Sequence, residues 1–166
     1  MPTPQTDANQ FLGGVIMPVL VGLGMNSPSA EKLLMMTACH ESMGFCYRVQ
    51  LSGPALSYFQ IEPNTLDDLY RNYLSYRPGR QAQLDAYLPG GMTRLEALEA
   101  DDAYACAAAR MIYARVAEAL PDVRDDMALA DYAKRYWNTA LGKATTEKYL
   151  ADFHTYGPNP APSNWA

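Results

Sequence analysis

A chain of 166 residues that is 49% hydrophobic and only 19% charged is long and apolar enough to bury a core of its own, which excludes a disordered tail or linker. The formal net charge of −5 provides no basic surface, so bulk electrostatics disfavour nucleic acid as a partner. Three cysteines, Cys39, Cys46 and Cys106, are an odd number with no Cys-x-x-Cys pair, and suggest neither a disulfide framework nor a zinc site.

Taken in chain order, the lead MPTPQTDANQ carries two prolines and no Lys or Arg. Residues 1–9 therefore read as a loose arm, and no secretory signal is visible. The apolar stretch Phe11 to Met25 is the one candidate membrane segment. It is shorter than the ~20 residues a span needs, is interrupted by Gly13, Gly14, Pro18, Gly22 and Gly24, and lacks basic flanks. It reads as a buried first helix over about 10–24, kinked at Pro18, and not as a stable membrane span; a membrane-interactive segment and a disordered arm are the other readings. Ser27 and Pro28 form a cap and first-position pair with Glu31 in the first turn. The helix they start is apolar almost all round and runs to about Met43, where Gly44 is a left-handed terminator.

Residues 45–63 hold Gly53, Pro54 and Pro63 and read as a loop with a short helical turn at 54–59. Asn64 or Thr65 starts a helix through about Tyr76, with Asp67 and Asp68 as dipole partners in its first turn. A short helix at 80–88 lies between Arg-Pro-Gly and Pro-Gly-Gly. Thr93 and Glu96 have capping-box spacing, and a long helical region follows to about Leu120, broken near Asp101 and ended by Pro121. Helices over about 124–138 and 144–154 follow. Residues 156–166 are a Pro-rich tail expected to be extended and weakly ordered. With no repeat and no β-alternation, the fold class is mainly α: a single helical domain over 1–155 built on one central buried helix.

Glu41 closes the apolar run Leu33 to His40. A carboxylate is costly to bury, and the negative end of a helix dipole disfavours it further. Both effects keep a carboxylic acid protonated near neutral pH, the state a glycosidase needs in its general acid. Downstream come SGPALSYFQIEPNT at 52–65 and YWNTALGKAT at 136–145.

Together these strings resemble the lysozyme-like superfamily of lytic transglycosylases and goose-type lysozymes, and most of all the small wall-degrading proteins of tailed phages. The likeness covers roughly residues 28–153. It implies a lysozyme-like helical domain that cleaves peptidoglycan glycan strands, with Glu41 as the acid and neither cofactor nor metal. It places Thr65 near the substrate and a late aromatic-Asn pair, Tyr136 or Trp137 with Asn138, across the cleft; Ser42, Tyr58, Gln60 and Glu62 follow the acid in sequence as further substrate contacts, and Tyr132 shares a helix face with Tyr136. Gln60 offers an amide to a sugar N-acetyl group, and Tyr58 a stacking face. Thr65 reads equally as a helix cap, and Asn138 also as a helix terminator. Glu62 is the best candidate for a second carboxylate. The likeness leaves hydrolysis and an intramolecular transglycosylase route both open. The family often has Gly where Ser57 stands, which here would narrow the cleft or alter preference. His40 reads as a structural neighbour of the acid. The alternative function is a non-catalytic virion structural or glycan-binding protein, with virion proteins as partners; a membrane-active protein is the third. An enzyme of this kind would be carried in the virion, or made in the host cytoplasm and released to the cell wall through a holin.

Overall fold

The computed structural model describes residues 8–137 and 143–166. It is mainly helical, and among the described residues extended pairing is limited to the isolated bridges Val49 with Leu56 and Leu56 with Ile61. Helix α1 (Ala8–Phe11) runs through a π-helical stretch, Leu12–Ile16, into α2 (Met17–Leu23). The backbone stays right-handed at both joins. The wide turn lies just before Pro18, whose ring cannot donate to the preceding turn. Ala8, the first described residue, is already helical, so the end of the expected loose arm is structured; residues 1–7 lie outside the described residues. Phe11, Leu12, Ile16, Val19, Leu20 and Leu23 are buried, whereas Gly13, Gly14, Pro18 and Val21 face out. Among the described residues no helix is long and apolar enough to cross a membrane.

Helix α3 (Pro28–Glu41) starts as its sequence dictates: the Ser27 side chain accepts from the Ala30 amide at 3.1 Å, with Pro28 in the first turn. Every residue from Ala30 to Cys39 is buried, and α3 packs against α2, α7 (Asp102–Ala114), α8 (Asp126–Tyr136) and α9 (Thr146–Tyr156). Helix α4 (Pro63–Asn72) begins earlier than the sequence suggests. Proline takes a first-turn position with Glu62 as cap residue, so Thr65 lies inside the helix and does not cap it. Asp67 and Asp68 consequently fall beyond the first turn and pair with Arg71 and Arg115, each at 2.8 Å. The helix ends at Asn72, and Leu74–Tyr76 forms a 3-10 turn.

Helix α5 (Pro78–Asp85) follows, and Thr93 with Glu96 forms the expected capping box on α6 (Arg94–Ala100). The break at Asp101 has a local cause: its carboxylate accepts from the Tyr104 amide and caps α7. Helix α7 stops at Ala114, short of the Leu120 expected, and Pro121 is not what ends it.

The tail does not hang free. Trp165 is buried, and its indole N–H donates to the buried Glu31 at 3.2 Å. Lys32 lies 5.7 Å from the Trp165 ring and 5.8 Å from that of Phe153. An indole is too apolar to be left in water, and that burial outweighs the extended preference of the prolines around it.

Candidate active site

The end of α3 and the loop after it build the site. The last turn is tied off by Ser42, whose hydroxyl donates to the Ala38 carbonyl at 2.6 Å and accepts from the Phe45 amide at 2.7 Å. Met43, Gly44 and Phe45 then all take positive φ (51°, 70° and 66°). Glycine is required at the middle position twice over, since a side chain there would also meet the Tyr156 ring at 2.3 Å. Ser52, Ser57 and Gln60 are likewise left-handed, so all five non-glycine residues at positive φ among the described residues fall between Met43 and Gln60. Such conformations cost about 1–3 kcal/mol each and persist only where the surroundings over-determine them.

Three sets of contacts do so here. Phe11 packs its ring 5.0–5.9 Å from Phe45, Tyr58 and Phe59. Arg48 pairs with Asp102 of α7 and lies 4.4 Å over the Tyr58 ring. Paired amides join Leu56 and Ile61 at 2.8 and 2.9 Å. Between Ser57 and Gln60 this produces a tight turn and not the helical turn expected. Ser57 occupies a glycine-favouring conformation (φ 71°), stabilised by its hydroxyl accepting from the Phe59 amide at 3.1 Å. Its side chain is buried, so it does not narrow the cleft.

The loop encloses a cleft of about 340 Å³. Glu41, Gln60 and Glu62 line it together with Tyr47, Gln50 and the apolar Met43, Leu51 and Ala55. Glu41 is partly buried, and burial lifts its carboxyl from the ordinary 4.5 to about 7, because few waters remain to stabilise the anion. The Tyr149 hydroxyl donates to Glu41 Oε1 at 2.9 Å and pulls the other way without offsetting burial. Tyr149 is fully buried on α9; burial first, and the neighbouring Glu41 second, push its phenol far above its usual range, so it remains a proton-bearing donor.

Tyr149 is itself braced. The His40 ring lies against it at 3.9 Å, His40 Nδ1 meets Asp152 Oδ2 at 2.7 Å, and Lys148 donates to the other Asp152 oxygen at 2.7 Å. Burial lowers the His40 pKa and outweighs the opposing pull of Asp152, so the neutral ring donates to the carboxylate. Below Glu41, the Thr37 and Tyr113 hydroxyls share a hydrogen bond of 2.7 Å.

Three of the residues expected at the site therefore meet at one cleft: Glu41, Gln60 and Glu62. Others are turned inward. Ser42 ties the helix end. Tyr58 is buried with its hydroxyl accepting from Arg48 at 3.2 Å, and Tyr132 is buried with its hydroxyl donating to the Glu118 carbonyl at 2.9 Å. Thr65 is half-buried in α4 and is not among the residues lining the cleft. Tyr136 packs edge-on against Tyr132 at 4.7 Å, and Trp137 against Tyr113 at 5.1 Å and Phe59 at 6.4 Å. Asn138 lies outside the described residues.

Sequence reasoning missed Tyr149 and Asp152. Their spacing of three on an amphipathic helix, with Asp152 on the buried face, was the available signal. It also missed Tyr47 and Gln50, whose place in the cleft depends on the loop's non-local closure. All three cysteines are free, Cys39 and Cys106 buried and Cys46 exposed. Among the described residues no three His, Cys, Asp or Glu side chains gather as a metal site would require. Compared with protein families, curated proteins and solved structures, the chain finds no match in any of the three.

Proposed function

We propose that this protein cleaves the glycan strand of peptidoglycan, with Glu41 as general acid on a lysozyme-like helical scaffold. The observation that carries this reading is the Glu41 carboxyl, raised to about 7 by burial and open to a cleft that also presents the Gln60 amide and the Glu62 carboxyl. In the reaction, protonated Glu41 gives its proton to the bridging oxygen as the bond to the anomeric carbon breaks. The leaving sugar departs as a neutral alcohol, and positive charge develops on the other ring. Tyr149, donating to Oε1, stabilises the carboxylate left behind. That carboxylate then takes a proton from the hydroxyl that adds to the anomeric carbon, either water or a hydroxyl of the same sugar, and the acid is restored.

The test is release of soluble fragments from purified cell-wall sacculi between pH 4 and 8. Wild type is expected to release them and Glu41→Gln to release none. No release by wild type across that range overturns the proposal and favours a glycan-binding virion protein on the same scaffold.

A further inference from the structure

The cleft carries a charge pattern that the reaction alone does not require. Two carboxyl groups line it, Glu41 and Glu62, and among the described residues no lysine or arginine does. The nearest cation along the loop, Arg48, is committed to Asp102. Glu62 is exposed at the start of α4, and its carboxylate has no hydrogen-bond or ion-pair partner among the described residues. Gln60 is oriented by its own turn: Nε2 donates to the Ser57 carbonyl at 2.7 Å, which leaves Oε1 as its free acceptor. Gln50 uses its Oε1 to accept from the Ala55 amide at 3.1 Å, leaving its NH₂ as donor. Met43 and Leu51 add exposed apolar walls, 55% and 69% accessible.

Glu62 and the Gln60 Oε1 supply acceptors, the Gln50 NH₂ supplies a donor, and the flanks are apolar, which matches a ligand rich in hydroxyl and amide groups and in methyl groups. The same lining opposes a ligand carboxylate in two ways. The anion meets the Glu62 carboxylate, and it loses water against methionine and leucine with no cation in return.

We propose that the cleft selects uncharged N-acetylated glycan, and discriminates against strands whose peptide substituents carry free carboxylates in favour of those whose carboxylates are amidated. The inference rests on reading the cleft as a glycan site and adds the substrate class. Glu62 is its specificity-determining residue.

The test uses the full chain with Glu41→Gln, so that binding is read without turnover. Three ligands are titrated by calorimetry at pH 7: a tetramer of N-acetylglucosamine, and two matched disaccharide-peptide dimers with free or amidated carboxylates. The neutral tetramer and the amidated dimer are expected to bind. The free-carboxylate dimer should bind roughly fivefold more weakly, about the effect of one unit charge pair near 4 Å in water. Adding Glu62→Gln should close most of that gap by strengthening the free-carboxylate ligand alone. Equal or tighter binding of the free-carboxylate dimer overturns the inference and leaves the glycan site standing. A gap that Glu62→Gln leaves unchanged overturns the assignment to Glu62. Failure of all three ligands to bind overturns the glycan reading and this inference together.

Discussion

Replacing Glu41 with glutamine keeps the oxygen to which Tyr149 donates and removes the titrating group, so it isolates what the buried acid does to stability. The Glu41 carboxyl has an ordinary pKa of 4.5 and is raised to about 7 in the fold. Below 4.5 the folded and unfolded chains both hold the proton, and pH has no effect through this group. Between 4.5 and about 7 the unfolded chain has released a proton that the folded chain retains, so stability falls as pH rises. Above about 7 the loss is complete. At about 1.36 kcal/mol per pH unit the window is worth about 3 kcal/mol, an upper figure because the cleft admits water to one side of the carboxyl. Glutamine has no such dependence. The variant should melt with wild type at pH 4 and above it at pH 8, by up to about 6–12 °C for a chain of this length. Thermal melts followed by circular dichroism at pH 4, 6 and 8 measure this directly, since the other titrating groups are common to both proteins and cancel. A variant that melts at or below wild type at pH 8, or a difference that does not change with pH, would mean that burial does not hold the Glu41 carboxyl protonated.

Tyr149→Phe removes the donor that stabilises the Glu41 carboxylate. It should move the alkaline limb of the pH–rate profile upward and lower kcat about 10- to 100-fold, as expected for a hydrogen bond to a charged group; an unshifted limb counts against that role. At Ser57, held at φ 71°, Ser57→Gly should be near neutral in urea unfolding, whereas Ser57→Ala should cost about 1–2 kcal/mol by keeping the strain and losing the bond to the Phe59 amide. Trp165→Ala should cost about 3 kcal/mol in the same assay, because it empties a packed site and leaves buried Glu31 without its donor. A change below 1 kcal/mol would mean the tail is not part of the core. Gly44→Ala should destabilise by about 2 kcal/mol or more, since it meets both a positive φ and the Tyr156 ring.

Local chemistry was legible in the sequence wherever neighbouring residues settle it. Ser27-Pro28 began α3, Thr93 and Glu96 formed their box, Asp101 divided α6 from α7, and Gly44 turned left-handed. Errors came where distant contacts decide. The helical pattern after Ala114 found no continuation, whereas the earlier start of α4 is local, with Pro63 in its first turn and Glu62 as cap residue. The tail was misjudged because proline content speaks for extension, while one tryptophan found a place beside Lys32 and Phe153. At the site, the environment of Glu41 was legible from the apolar run before it and its position at a helix end. Its hydrogen-bond partner was not, because Tyr149 lies more than a hundred residues away and reaches Glu41 only once α9 packs on α3. Tyr58 and Tyr132 show the converse: an aromatic in a motif reads as a stacking face, but the same apolar area served the core.

We propose Glu41 as the donor of the proton that breaks a glycan bond. Digestion of purified peptidoglycan by wild type and Glu41→Gln, with products identified by mass spectrometry, tests it most directly. Newly cut glycan ends are expected from wild type alone, with anhydro or reducing termini telling the intramolecular route from hydrolysis. Equal cleavage by the two proteins would contradict the proposal.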